Sequence, residues 1–352
     1  MKTKISNICI DRNLTIKYAL KQMDEHGCKL LIVTDAEKFF SLISIGDIQR
    51  SIINDNDLNL SVDKALRKKV TVAYETDDIE EIKQRMKIRR NEFMPVLTKE
   101  EHIKDVIFWE DLFEEEERGL LSKLDMPVVI MAGGKGSRLK PLTNILPKAL
   151  IPIGEKTILE RIMDSFIELG SNKFYISVNY KSELIEYYLN QLDNSNYQIN
   201  YFKEEKPLGT AGSLHLLKEK INETFVISNC DILIDQDYSE IVKYHIENRN
   251  EITVVAAIKH YPIPYGVLNT GVNGLLRNIE EKPELSLKIN TGFYIVEPGL
   301  VDEIPVNKYY NITDLINKLK QQKRRIGVFP VSEKSWTDIG TWNDYLMHQG
   351  GL

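Results

Sequence analysis

Three glycines within four residues, Gly133, Gly134 and Gly136, end an apolar run and lead directly into Ser137 and Arg138. Glycine lets a backbone turn tightly and leaves its N–H groups uncovered by side chains. Successive N–H groups in such a turn form a concavity that binds anions. The stretch Ala132-Gly133-Gly134-Lys135-Gly136-Ser137-Arg138 therefore reads as a grip for nucleotide phosphates. Arg138 and Lys148 add full positive charges on either side of Pro141 and Pro147. Two better-known phosphate loops do not fit. No glycine precedes a Lys-Ser or Lys-Thr pair at P-loop spacing, and counting G-x-G-x-x-G from Gly134 and Gly136 puts Leu139 at the third glycine.

The elements that must hold this loop are legible around it. Val128, Val129, Ile130 and Met131 read as a buried strand. Thr157 and Glu160 have capping-box spacing and open a helix that Gly170 is expected to close. Further strands are expected at Phe174 to Val178, Tyr197 to Phe202, Phe225 to Ser228 and Ile252 to Ala257. Strands alternating with helices predict an α/β layered fold with a mostly parallel sheet. In such sheets ligands sit beyond the carboxyl ends of the strands, which is where the glycine loop falls.

The first third of the chain is a repeat. Ile16, Ala19, Leu20 and Met23 have helical spacing, and Ile79, Ile82 and Met86 repeat it 63 residues later. Each helix leads to an apolar strand, Leu30 to Val33 and then Phe93 to Val96. A second strand follows each time, expected at Ser41 to Ile48 and Lys104 to Leu112. Asp47 and Asp111 are 64 residues apart, so one residue is inserted between the strands of the second copy. The acidic run Glu114 to Glu117 reads as a solvated helix face. Gly119 and Pro127 mark a linker.

Composition excludes several classes. A chain of 352 residues with 42% hydrophobic and 28% charged residues suggests a soluble protein of two or three domains. A net charge of −6 gives no bulk attraction to nucleic acid or anionic membranes. No apolar stretch is long enough to span a bilayer, and the start has no signal-peptide core, so a cytoplasmic location is expected. Cys9, Cys28 and Cys230 are odd in number and have no C-x-x-C spacing. They read as reduced thiols rather than a disulfide frame or zinc site.

The string A-G-G-K-G-S-R-L-K-P-L-T, followed by Leu146-Pro147-Lys148, resembles the signature of sugar-1-phosphate nucleotidylyltransferases. The resemblance covers about residues 127 to 346 and implies a Rossmann-like, mixed but mostly parallel sheet. It implies that Ala132, Gly133, Gly134, Gly136 and Ser137 bind the nucleotide, and that Arg138, Lys148 and Lys282 serve catalysis. Glu204-Glu205-Lys206-Pro207-Leu208-Gly209-Thr210 resembles the segment that wraps the nucleobase, which adds Glu204, Glu205, Pro207, Gly209 and Thr210 to the nucleotide site. A carboxylate only accepts hydrogen bonds; guanine offers two adjacent donors where uracil and thymine offer one, so GTP is favoured. Asp231, and Asp338 in Trp336-Thr337-Asp338-Ile339-Gly340-Thr341, match the family's paired metal-binding aspartates. Two carboxylates suit Mg²⁺, a hard cation with oxygen ligands that keeps several waters. Gly266, Glu281, Asn290 and Thr291 fall in segments resembling the sugar-side motifs Y-G-V, E-K-P and N-T-G-I-Y, with Phe293 replacing an aliphatic residue.

Residues 1–58 and 59–118 resemble a tandem CBS pair, an α+β module joined through a linker at 119–126 to the nucleotidylyltransferase domain at 127–352. The resemblance implies an adenine or guanine nucleotide effector at Ser44 and Asp47, and a homo-oligomer. Ser44 and Asp47 also suit a turn and a helix cap. Phe108 stands where the second copy would need a hydroxyl. The implied reaction joins a hexose 1-phosphate, glucosamine or mannose 1-phosphate favoured, to an NTP. It releases pyrophosphate and serves surface-glycan or nonulosonic acid precursor synthesis. The same chemistry with UTP or dTTP, and a non-catalytic nucleotide or sugar-phosphate sensor, are the alternatives.

Overall fold

A computed structural model describes residues 2–67, 69–89, 91–113, 125–192 and 195–349. The chain divides into two compact units, Met1–Leu120 and Leu121–Leu352.

The first unit contains the repeat as two three-stranded sheets of one design. β1 (Cys9–Asp11) runs parallel to β2 (Leu30–Asp35), which pairs antiparallel with β3 (Lys38–Ser44). β4 (Ala73–Tyr74), β5 (Phe93–Leu97) and β6 (Ile103–Phe108) repeat that order. Helix Ile16–His26 buries Ile16, Ala19, Leu20 and Met23. Helix Ile79–Arg89 buries Ile82 and Met86, whereas Ile79 is exposed at its start. The inserted residue lies in a hairpin. β2 and β3 close at Asp35 opposite Lys38 over Ala36 and Glu37, both at positive φ, while β5 and β6 close at Leu97 opposite Ile103. Both second strands are shorter than the apolar pattern suggests. Ser44 caps helix Ile45–Asp55, so residues 45–48 are helical, and Trp109–Leu112 likewise turns into helix after β6. The polar cap outweighs a continuing apolar run because it satisfies N–H groups that a helix start leaves open.

In the second unit the strands are β7 (Val128–Met131), the short pair β8 (Pro152–Ile153) and β9 (Lys156–Thr157), β10 (Lys173–Val178), β11 (Gln198–Lys203), β12 (Phe225–Asn229) and β13 (Ile232–Ile234). They continue as β14 (Ile252–Pro262), β15 (Val267–Thr270), β16 (Leu276–Glu280), β17 (Glu284–Val296), β18 (Ile326–Ser332) and β19 (Trp336–Asp338). A seven-stranded sheet has the order β11-β10-β7-β12-β17-β14-β18. Only β17 opposes its neighbours, so the sheet is mixed and mostly parallel.

Both faces are covered, as a mostly parallel sheet requires. Alternation along β17 makes this visible. Phe293 stacks with Phe166 of helix Ile158–Ile167 and contacts Tyr238 of helix Tyr238–Glu247. Its neighbour Tyr294 joins the opposite cluster, with Val129, Ile227, Val254 and Leu315 of helix Ile312–Gln321. The Thr157–Glu160 capping box forms as its spacing suggests. Its helix ends at Ile167, three residues before Gly170, whose N–H still bonds back to the Ile167 carbonyl. None of the described helices is long and apolar enough to cross a membrane.

Candidate active site

The glycine loop leaves the carboxyl end of β7, one of four mutually parallel neighbours. Ala132 is buried and donates its N–H to the Ser177 carbonyl on β10 at 3.0 Å. Gly133, Gly134 and Gly136 then carry the chain out, Leu139 returns to the core, and Ser137 and Arg138 between them are exposed. Gly136 has φ 60°, and a Cβ there would lie 2.8 Å from the Lys148 Cβ and 2.9 Å from the Thr143 Cγ2. Left-handed backbone and close packing both demand glycine at this point. The consequence is that the Lys148 stem is pressed against the loop. Gly134 is open, with nothing within 4 Å of a Cβ position.

Lys148 is buried and ion-paired with Asp231, just beyond β12. Asp231 and Asp338 are 107 residues apart in sequence, yet backbone pairing brings them together. β13 and β19 are antiparallel with Ile232 opposite Asp338, and the Ile339 N–H donates to the Asp231 carbonyl at 2.8 Å. The Asp338 Oδ1 is buried and has no hydrogen-bond partner among the described residues. Burial, then the negative charges of Asp231 and Asp344, push the Asp338 carboxyl above the usual range; Lys148 and Arg138 oppose that shift. Arg138 reaches the same place, because its Nη2 and the Asp338 Oδ1 lie 3.2 and 2.7 Å from a Cβ position on Gly340.

An orphaned buried carboxylate oxygen is costly unless something comes to meet it. Two carboxylates, one already balanced by Lys148 and one with a bare oxygen, form a donor set that suits a hard divalent cation completing its shell with water and phosphate. Among the described residues no group of three or more His, Cys, Asp and Glu side chains could hold a metal. Such a cation would therefore depend on this pair.

The expected base-side residues separate into two kinds. Glu204 is buried, and its carboxylate accepts from the Ser177 hydroxyl at 2.7 Å and the Leu208 N–H at 3.0 Å. It stands beside the loop, its Oε1 3.1 Å from a Cβ position on Gly133. Asn179, which the motif reading passed over, packs at the same glycine and donates to the Glu204 carbonyl at 2.7 Å. Glu205 and Pro207 are exposed. Gly209, at φ 81°, lets the chain pass the Tyr310 carbonyl, 2.7 Å from where a Cβ would be. Thr210 is exposed overall, but its hydroxyl oxygen accepts from the Ile312 N–H at 3.0 Å and so tethers the start of helix Ile312–Gln321. Glu204 and Thr210 thus both hold the segment in place, and Glu204 also borders the glycine loop.

The residues expected on the sugar side also divide. Gly292, at φ 85°, faces Asn229, whose Nδ2 lies 2.3 Å from a Cβ position, so β17 is locked against the strand end that carries Asp231. Thr291 is buried with its hydroxyl donating to the Val255 carbonyl at 2.8 Å. Asn290 is exposed and bonds the Tyr294 hydroxyl. Gly266 and Glu281 meet each other, with the Glu281 Oε2 3.0 Å from a Cβ position on Gly266, and Lys282 beside them is at φ 47°. This second group makes no hydrogen bond or ion pair with Asp231, Asp338, Lys148 or Arg138 among the described residues.

Elsewhere, Thr253, His245 and Glu297 form a hydrogen-bonded series that resembles a nucleophile, base and acid. Thr253 is fully buried, so the series ties a helix to the sheet. In the first unit Ser44 and Asp47 make a reciprocal capping box, and the Asp47 carboxylate also accepts from Arg67 and Arg50. Burial alone would raise the Asp47 pKa, but hydrogen bonds from Arg67 and Ser44 outweigh it and hold the carboxyl below its ordinary range. All three cysteines are free. Burial pushes the Cys230 thiol up to about 12 and those of Cys9 and Cys28 to about 11, which leaves none of them a ready nucleophile.

Known proteins resemble the second unit. The chain is 31% identical over 224 residues to the mannose-1-phosphate guanylyltransferase catalytic subunit beta of Drosophila melanogaster, covering 62% of this chain and 60% of that protein. It is 33% identical over 240 residues to a UTP–glucose-1-phosphate uridylyltransferase of Synechocystis sp. PCC 6803, covering 62% of this chain and 61% of the relative. The chain thus spans about three fifths of the length of these relatives. Among solved structures, HddC from Yersinia pseudotuberculosis has the same fold over 64% of this chain and 98% of its own, with 24% identity and a TM-score of 0.51. With the glycine loop, the two joined aspartates and the mixed sheet in one unit, and with the family model for nucleotidyl transferases matching residues 127–350, the chain belongs to the nucleotidyl transferase family.

Proposed function

We propose that the second unit transfers a nucleotidyl group from an NTP, GTP favoured, to a hexose 1-phosphate, glucosamine or mannose 1-phosphate favoured, with Mg²⁺. The observation that carries this reading is the meeting of Asp231 and Asp338 through the β13–β19 pairing, beside Lys148 and within reach of Arg138. A phosphate oxygen of the sugar ester attacks the α-phosphorus, the bond from that phosphorus to the β-phosphate bridging oxygen breaks, and pyrophosphate leaves with the electron pair. A phosphate monoester has a second pKa near ~6, so the nucleophile is ionised at neutral pH and needs no general base. Mg²⁺, when held by Asp231 and Asp338, supplies charge neutralisation to the phosphates.

The chain's own residues bind and orient. The glycine-loop N–H groups and Arg138 hold the pyrophosphate end of the NTP, and Lys148 and Lys282 draw the sugar phosphate towards it. Such positioning of two anions accounts for most of the acceleration available to this reaction. Pyrophosphate release, measured with four NTPs crossed against several hexose 1-phosphates, tests the proposal. Release that needs both substrates and a divalent cation supports it; none with any pair sinks it.

GTP is favoured by the carboxylate of Glu204 beside Gly133 and by the likeness to a guanylyltransferase. The likeness to a uridylyltransferase supports a second reading, the same chemistry with UTP. The NTP arm of the same panel separates the two. For the first unit we propose a CBS-type regulatory role with an adenine or guanine nucleotide as effector. Since Arg67 and Arg50 face Asp47, an arriving phosphate would meet guanidinium groups there. AMP should then shift the unfolding midpoint of the full chain, and no shift with AMP or GDP removes that role.

A further inference from the structure

Lys181 stands where local rules would not put a lysine. It follows β10 at the N-terminal boundary of helix Ser182–Leu189, with φ 54° and ψ 39°. Left-handed backbone is open to glycine and tolerated by asparagine, but it is strained for a longer side chain such as lysine. A residue at this boundary usually offers a side-chain acceptor to the open N–H groups of the helix, and Lys181 makes no such bond. Its positive charge is also set against the positive end of the helix dipole. Strain of this kind persists where neighbouring structure holds it, and it gathers at functional sites.

What holds Lys181 is a segment 36 to 38 residues earlier in the chain. Its ammonium donates to the carbonyls of Asn144 at 2.6 Å, Ile145 at 2.7 Å and Thr143 at 3.4 Å. The centre of the Tyr180 ring lies 5.2 Å from the ammonium, and the Tyr180 hydroxyl adds a bond to the Thr143 carbonyl at 3.4 Å. These carbonyls end the single helical turn Leu142–Ile145, and Pro147 has no N–H with which to extend it. Lysine donating to the last carbonyls of a helix is favourable. The charge that is misplaced for its own helix is therefore well placed for the end of another.

The turn it caps lies between the two cations of the candidate site. Thr143 donates its hydroxyl to the Gly136 carbonyl at 3.0 Å, two residues before Arg138, and Lys148 follows Ile145 by three residues. From the other side the Trp342 indole N–H donates to the Lys140 carbonyl. Residues 140–145 are thereby gripped both from the end of β10 and from the segment that follows Asp338.

We infer that Lys181 is a positioning residue: through the turn Leu142–Ile145 it keeps Arg138 and Lys148 in register with Asp231. The purpose of this hold rests on the proposed transfer; the hold itself does not. Lys181→Asn tests it, because asparagine tolerates the left-handed backbone and can cap the helix while the ammonium is lost. The variant should melt at or above the wild-type temperature. Amide exchange at Asn144 and Leu146, which donate to the Pro141 and Leu142 carbonyls, should nevertheless quicken at least ~10-fold. Pyrophosphate release should fall at least ~10-fold, since a small displacement of the groups that position two reactants carries a large rate penalty. Lys181→Arg, which keeps cationic donors, should recover most of that turnover. Unchanged exchange at both amides overturns the inference, as does wild-type turnover in the asparagine variant or an arginine variant no better than it. A melting temperature that falls together with turnover overturns it too, since Lys181 would then serve stability alone. A wild type that releases no pyrophosphate sinks the transfer proposal instead, and exchange in Lys181→Asn still decides the hold.

Discussion

Asp338 is the residue at which cost and use are most closely joined. Its carboxyl is raised by burial and by Asp231 and Asp344, so the folded chain holds its proton more tightly than the unfolded chain does. Stability from that preference is fully present below the ordinary Asp pKa and is lost as pH rises through the raised value. Asp338→Asn removes the penalty. In metal-free protein the variant should melt about 2 °C higher than the wild type at neutral pH, with the gap narrowing towards pH 4, as scanning calorimetry would reveal. A variant less stable than the wild type at pH 7 would mean that this carboxylate is already satisfied.

Asp47 in the first unit has the opposite sign. Hydrogen bonds from Arg67 and Ser44 depress its pKa despite burial, so its contribution is present above the ordinary Asp value and lost as pH falls through the depressed one. Arg67→Met should lower the melting temperature at pH 7 and flatten the loss of stability on acidification, both measurable in the full chain. The residue types at both sites could be read from the sequence. Their state of satisfaction could not, because it depends on neighbours such as Arg67, 20 positions away, that no local motif contains.

At the scale of elements, the sequence was most informative where local chemistry decides the outcome. The Thr157–Glu160 box, the β7 strand and the repeated helix–strand–strand pattern all follow from residues close in sequence. It misled where two local signals compete, as at Ser44, where a cap ended an apolar run that otherwise suited a longer strand. Thr157→Ala should cost about 1 kcal/mol by removing the hydroxyl that accepts from the Glu160 N–H, seen as a lower urea midpoint with unchanged slope. Phe293 replaces an aliphatic residue of the motif for a packing reason, since its ring lies against Phe166 and Tyr238. Phe293→Ala should cost about 3 kcal/mol or more, and Phe293→Leu markedly less.

Across the whole molecule, the motifs lie in order along the sequence but their meeting depends on long-range pairing. The register of β13 against β19 joins two aspartates that only a family resemblance could have paired beforehand. Contact between Gly292 and Asn229 couples β17 to the same strand end.

We propose that Asp231 and Asp338 act together on a divalent cation during nucleotidyl transfer. Pyrophosphate release under limiting Mg²⁺, compared for wild type, Asp231→Asn and Asp338→Asn with the preferred substrate pair, tests it most directly. Both variants should lose at least ~100-fold in turnover, since the cation's neutralisation of phosphate charge is worth several kcal/mol. Turnover close to wild type in either variant would contradict the account.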